Sequence, residues 1–206
     1  LPKCISKKVK RRLNLRLLKV KNNLIKELQK RKKIGIVIKQ DMLENLVKPI
    51  YLGIGSNKGD KKKNIEKAKV KLIDNNIKIL KTSNYYESLS WPNPKNPKFL
   101  NIVLKVKTNF TPLELIKKCK DIERQLGRKN TLKNSPRECD IDIIDYKNKK
   151  MSKGLNLPHP RMHNRNFVLL PLFEIDKNWI HPIFKLNIIK LISLLPNSDI
   201  RSIKQI

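Results

Sequence analysis

Residues 49–206 of this 206-residue chain predict an α+β domain, an antiparallel sheet with helices packed on one face. Three observations predict it. Apolar residues mark four β-rich stretches, and between them recur near a period of 3.6 in two others. Helix-start signals stand where the pattern changes, at Asp60 and Pro112. The resulting order is strand, helix, strand, strand, helix, strand.

The elements follow one by one. Residues 50–55 form the first strand. Asp60 caps a lysine-rich helix whose buried stripe is Ile65, Ala68, Leu72 and Ile73. Residues 77–87 and 99–108 are β-rich and pair. Pro112 opens a second helix, with Leu113, Ile116, Ile122 and Leu126 at helical spacing until Gly127 stops it. Residues 139–146 are the last strand. This order is a ferredoxin-like βαββαβ sandwich, with additional C-terminal helices at 166–174 and 187–195.

Residues 1–48 read differently. Positions 7–33 are dense in Lys and Arg, with Leu17, Val20, Leu24, Ile25 and Leu28 at helical spacing, and a β-like run follows at 34–38. A basic amphipathic helix could meet nucleic acid, a membrane surface or a partner, and an Arg-rich leader could be a transit peptide. The chain begins at Leu1, and Met42 lies eight residues before the first strand, so a fragment or an over-extended start is the competing expectation. The first 49 residues hold 16 basic and 3 acidic residues, but the net charge of +31 is spread along the whole chain. Shared over-use of lysine, asparagine and isoleucine points to AT-rich codons rather than to a nucleic-acid partner. The three cysteines, Cys4, Cys119 and Cys139, have no paired spacing. No apolar run approaches the ~20 residues of a membrane span, and no secretory pattern opens the chain. A cytoplasmic monomer with no membrane partner is expected.

The chemistry concentrates at residues 135–144. Strand alternation puts Asp140 and Asp142 on one face while Ile141 and Ile143 face the core. Two carboxylates so close repel each other, a cost that makes sense if a hard cation such as Mg²⁺ lies between them. A solvated acidic strand edge is the other reading. Arg128 and Arg137 flank the approach to this strand, and guanidinium forks suit phosphate oxygens. No G-x-x-x-x-G-K-[ST] loop exists, and Gly53, Gly55 and Gly59 miss the dinucleotide fingerprint by one residue. His159 and His163 share the i,i+4 spacing of a zinc helix, but Pro160 and the missing glutamate argue against one.

Five blocks in order carry a family resemblance over about 49–182. They are Leu52-Gly53-Ile54-Gly55-Ser56-Asn57, Phe99-Leu100-Asn101, Ile122-Glu123 with Leu126-Gly127-Arg128, Pro136-Arg137 with Asp140-x-Asp142, and Pro158-His159-Pro160-Arg161-Met162. Together they resemble the 6-hydroxymethyl-7,8-dihydropterin pyrophosphokinases of folate biosynthesis. The resemblance implies transfer of a diphosphate from ATP to the hydroxymethyl group of a reduced pterin, with AMP released. It implies two Mg²⁺ ions on Asp140 and Asp142, and catalytic roles for Arg128 and Arg137. It implies nucleotide contacts from Glu123, Arg137, Ile143, His159 and Arg165. It implies a pterin ring sandwiched by Phe99 and Phe167, hydrogen-bonded by Asn101 and the chain around Ser88 and Leu89, with Trp91 anchoring a loop near the entrance.

The loop 129–134 departs from the family, lacking a second arginine and a tryptophan, and Ser135 stands where glycine is usual. Two rival readings remain. A ferredoxin-like RNA-binding module would exploit the charge, but the required aromatics and the K/R-G-F/Y-G/A-F signature are missing. A remnant of a fused folate enzyme at 1–48 would be too short to enclose an active site.

Overall fold

The computed structural model describes residues 48–91, 93–128 and 135–206. The expected basic helix at 7–33, the run at 34–38 and the loop at 129–134 lie outside the described residues. The elements are β1 (Ile50–Ser56), α1 (Lys61–Asp74), β2 (Lys78–Thr82), β3 (Tyr86–Ser88), β4 (Phe99–Lys107), α2 (Pro112–Gln125) and β5 (Asp140–Tyr146). They continue with α3 (Asn166–Ile175), α4 (Ile188–Ser193), α5 (Asn197–Ser202) and β6 (Lys204–Gln205). One sheet runs in the order β5-β1-β4-β3-β6, with β2 also paired to β4, and every strand pairing is antiparallel.

The sheet is covered on both faces. Ile50, Leu52 and Ile54 of β1, with Ile141 and Ile143 of β5, pack against Ile65, Ala68 and Leu72 of α1 and Leu115, Cys119 and Ile122 of α2. On the opposite face Tyr51, Val103 and Ile144 meet Leu169 and Leu172 of α3 and Leu191 of α4. Cys119 and Cys139 are buried free thiols. Among the described residues no helix is long and apolar enough to cross a membrane.

Both helix starts have a local cause. The Asp60 carboxylate accepts from Lys63 N at 2.9 Å. Ahead of Pro112, Thr111 and Glu114 form a reciprocal capping box.

Four expectations are corrected. Ile73 and Leu113 are exposed, because each lies off the stripe set by Leu72 and by Leu115, Cys119 and Ile122. The stretch 77–87 is two strands, not one. Between them the Ser83 hydroxyl, rather than a carbonyl, accepts from Val103 N at 2.9 Å, which interrupts the ladder. The helices expected at 166–174 and 187–195 shift their ends slightly, while α5 and β6 were not foreseen.

An irregularity in β5 matters for the site. Leu52 pairs with Ile143 but Tyr51 pairs with Asp145, so Ile144 is an extra residue. The bulge puts Ile144 and Asp145 on the α3 side together. Asp140 and Asp142 sit opposite Gly55 and Gly53 in the same register.

Candidate active site

A cleft of about 420 Å³ opens on the sheet face that carries Gly53 and Gly55. The glycines keep its floor low. A Cβ on Gly55 would come within 3.1 Å of Asn101 Oδ1 and 3.2 Å of Phe99 Cδ1. Asp140, Gly55 and Asn101 lie in one row across β5, β1 and β4. The carboxylate end and the Asn101 end are therefore two strand spacings apart, roughly 10 Å.

The carboxylate end is crowded with cations. Arg128 Nη1 bonds Asp140 Oδ1 at 2.5 Å, and Arg137 Nε lies 3.1 Å from Asp140 Oδ2. That approach is not aligned for a hydrogen bond, and Arg137 Nε is a buried donor without an acceptor among the described residues. His159 Nε2 and Arg165 Nη1 each stand 3.8 Å from Asp142 Oδ2. Burial alone would raise the Asp140 carboxyl, but Arg137, Lys120 and Arg128 outweigh it and hold it below the usual carboxylate range. Burial lowers the His159 imidazole, with Arg165 and Arg161 adding to the effect and Asp142 opposing it. Arg161 N donates to His159 Nδ1 at 3.2 Å, so the neutral ring carries its proton on Nε2, facing Asp142.

Lys120 was not singled out from the sequence. Its Nζ bonds Glu123 Oε1 at 2.6 Å and the Ile141 carbonyl at 3.1 Å, and lies 3.9 Å from both Asp140 Oδ1 and Asp142 Oδ1. Burial would lower its pKa, yet Glu123, Asp142 and Asp140 raise it, so the ammonium stays charged. The only signal in the sequence was its place one turn before Glu123.

The other end of the cleft is amide and aromatic. Asn101 Nδ2 donates to Ser88 Oγ at 3.0 Å and Tyr86 O at 3.2 Å, which leaves Oδ1 directed at the glycine floor. Phe99 and Phe167 both line the cleft, and the guanidinium of Arg137 lies over Phe99 at 5.5 Å as that of Arg165 does over Phe167 at 5.4 Å. Leu89 lines the cleft and is well exposed.

Two of the expected residues lie outside the cleft lining. Glu123 does not line the cleft: 1% exposed, it accepts from Lys120, Arg128 and Ile141 N behind the carboxylate row. Ile143 also stays out of the cleft, its side chain packed in the core beneath α1 and α2. Trp91 lines the cleft, with Arg161 over its ring at 4.9 Å and Arg165, which also lies over Phe167, at 5.8 Å. Lys58 and Arg161, which no motif marked for a role, also line it.

Among the described residues no group of three or more His, Cys, Asp and Glu converges as metal ligands. Besides Glu138, the carboxylate end offers only the oxygens of Asp140 and Asp142 as anionic donors among the described residues that line the cleft. That set fits a hard cation which completes its shell from water and phosphate, and not zinc.

Residues 51–177 match the model of the 7,8-dihydro-6-hydroxymethylpterin-pyrophosphokinase (HPPK) family. The chain is 46% identical over 137 residues to the 2-amino-4-hydroxy-6-hydroxymethyldihydropteridine pyrophosphokinase of Aquifex aeolicus, covering 66% of this chain and 85% of that protein. It is 37% identical over 155 residues to the folic acid synthesis protein fol1 of Pneumocystis carinii, covering 75% of this chain but only 21% of that much longer protein. The Plasmodium falciparum HPPK-DHPS structure with pteroate superposes at a TM-score of 0.57 and 16% identity, over 70% of this chain and 42% of that one, a likeness of fold. Since the family model matches residues 51–177, more than half of the chain, and a pyrophosphokinase 46% identical is covered over 85% of its length, this chain belongs to the 7,8-dihydro-6-hydroxymethylpterin-pyrophosphokinase family.

Proposed function

We infer that this chain transfers the diphosphate of ATP to 6-hydroxymethyl-7,8-dihydropterin, releasing AMP and forming the pterin diphosphate used in folate biosynthesis. The observation that carries the reading is the family match together with 46% identity to a pyrophosphokinase spanning 85% of that relative. The RNA-binding alternative has no support from either. The sheet order, with two crossover helices on one face, supports the finer reading of a ferredoxin-like core.

The residues that line the cleft support an arrangement of the two substrates within it. The pterin would lie between Phe99 and Phe167, with Asn101 Oδ1 accepting from a ring N–H. The nucleotide would lie toward His159, Arg161 and Arg165. The pterin hydroxyl oxygen attacks the β-phosphorus and gives up its proton to solvent, a new O–P bond forms, and the bond from that phosphorus to the bridging oxygen breaks with its electron pair leaving on AMP. Holding the two reactants in line is most of the catalysis in such a transfer. Arg137, with a buried Nε still wanting an acceptor, would take up phosphate oxygen as the substrate arrives. Arg128, held by Glu123 from behind, would meet the moving phosphates from the other side. His159 would donate from Nε2 to phosphate. Asp140 and Asp142 would hold two Mg²⁺ ions, which supply charge neutralisation across the phosphates and lower the pKa of the attacking hydroxyl. Both substrates are small molecules, and we propose that the enzyme works as a cytoplasmic monomer without nucleic acid.

The test is an AMP-release assay with ATP, Mg²⁺ and 6-hydroxymethyl-7,8-dihydropterin. AMP formation should require the pterin. AMP release at the same rate without pterin, or none with it, overturns the reading.

A further inference from the structure

We propose that Lys120 is a resident cation that keeps free metal ions off the Asp140–Asp142 pair until nucleotide phosphates arrive. The inference rests on the reading of that pair as the Mg²⁺ site.

The geometry is specific. An ammonium has three N–H donors. Two of those on Lys120 are committed, one to Glu123 Oε1 at 2.6 Å and one to the Ile141 carbonyl at 3.1 Å. The nitrogen then stands at an equal 3.9 Å from one oxygen of each aspartate. Its anchor points are not mobile surface groups. Glu123 is buried, is itself held by Arg128 and Ile141 N, and sits on the same helix one turn away. Ile141 is the residue between the two aspartates. The charge is therefore fixed beside the carboxylates by the same strand that carries them.

A fixed positive charge at this distance opposes a dication directly, at a site too sheltered for full solvent screening. Arg128 and Arg137 neutralise Asp140 and Arg165 stands near Asp142, but Lys120 is the cation that lies equally close to both aspartates and so offsets their mutual repulsion as a pair. Once triphosphate enters, its negative charge restores the balance, and Lys120 becomes a further favourable charge in the cleft. Metal and nucleotide binding are thereby coupled: the ion enters with the nucleotide rather than ahead of it. A lysine serving only to tie α2 to β5 would need the two anchoring bonds and nothing of the carboxylates.

Mn²⁺, followed by its free-ion EPR signal, provides a readout independent of turnover. The full chain is titrated with and without α,β-methylene-ATP, whose bridging carbon blocks the transfer. Wild type should bind Mn²⁺ weakly alone and much more tightly with the analogue. Lys120→Met should strengthen binding to the nucleotide-free protein by about tenfold or more and shrink the gap between the two conditions. Lys120→Gln should do the same while keeping a donor for the anchors, and Lys120→Arg, which keeps the charge, should stay near wild type. Unchanged or weaker nucleotide-free binding in both neutral variants overturns the role of Lys120. Failure of wild type to bind Mn²⁺ with the analogue, or binding untouched by Asp142→Ala, instead overturns the metal reading beneath it.

Discussion

Asn57 and Arg137 grip each other through two opposed hydrogen bonds. Asn57 N donates to Arg137 O at 3.1 Å, and Asn57 Oδ1 accepts from Arg137 N at 2.8 Å. The same buried asparagine reaches out with Nδ2 to Pro97 O at 3.2 Å and Ser90 Oγ at 3.4 Å. One side chain at the end of β1 thus ties together the segment bearing Arg137 and the loop between β3 and β4. Arg137 is placed by a residue that lines no part of the cleft.

Asn57→Ala should therefore act at a distance. It strands Arg137 N and frees two loops, with an expected stability loss of about 1–3 kcal/mol. The kcat should fall by roughly tenfold to a hundredfold, while ATP affinity moves little. Chemical denaturation and steady-state kinetics on the same variant check this. A loss confined to stability would make Asn57 structural only.

Asp142→Ala should abolish diphosphate transfer without unfolding the chain. Asp142 faces the cleft, partly exposed, and its neighbours Ile141 and Ile143 keep β5 in the core. Asp140→Ala should be equally inactive but more disturbed, since it leaves Arg128 and Arg137 without their shared partner. Thermal melts beside AMP-release rates separate the two effects, and near-normal rates in either variant would sink the assignment.

Arg128→Ala and Arg137→Ala should cost kcat far more than ATP affinity. Transition-state contacts of this type are worth about 10²–10³ in rate, and their loss should leave nucleotide binding within about tenfold of wild type. Equal losses in both measurements would make the two arginines ordinary binding residues.

Asp145 should give the fold a pH dependence of its own. It is 0% exposed, accepting from Trp179 Nε1 at 2.9 Å and Asn148 N at 3.0 Å, and burial pushes its carboxyl up from 3.8 to about 6. Between those values the folded state holds the proton that the unfolded state releases. Its contribution is therefore fully present below about pH 4 and is lost as pH rises through 6, by about 3 kcal/mol at most. Unfolding free energies of wild type and Asp145→Asn, compared from pH 4 to 7.5, should converge toward or cross in favour of the variant. A constant difference across that range would contradict it.

A chain beginning at Met42 should fold and keep full activity, with its ATP and Mg²⁺ requirements unchanged. It retains β1 and every later element, and the family match starts at residue 51. Insolubility or inactivity of the shortened protein, measured by melting and AMP release, would mean that the basic segment contributes to the domain.

The parts legible in the sequence were those governed by a local period. The alternation Asp140-Ile141-Asp142-Ile143 fixed which side chains meet the core, and the structure follows it. Where the period breaks, prediction failed for a physical reason. The bulge at Ile144 flips the phase, so the burial of Asp145 could not be read from alternation. Ser83 lends its hydroxyl to the ladder, which no propensity anticipates. Beyond Glu123 one turn away, Lys120 owes its place to Ile141, 21 positions on, and Asn57 owes its place to Arg137, 80 positions on, partners on other segments that no local period reveals.

The contact of α2 with β5 has a second consequence. Among the described residues β5 is the border of the sheet, with β1 on one side only. At Ile141 its outward amide is taken by Glu123 and its outward carbonyl by Lys120. Those are the groups an incoming strand from another molecule would need to hydrogen-bond. The side chains beside the paired carboxylates therefore also occupy the groups through which edge-to-edge pairing at Ile141 would start. A substitution at Glu123 or Lys120 would thus bare a backbone group of this edge as well as alter the surroundings of the carboxylates.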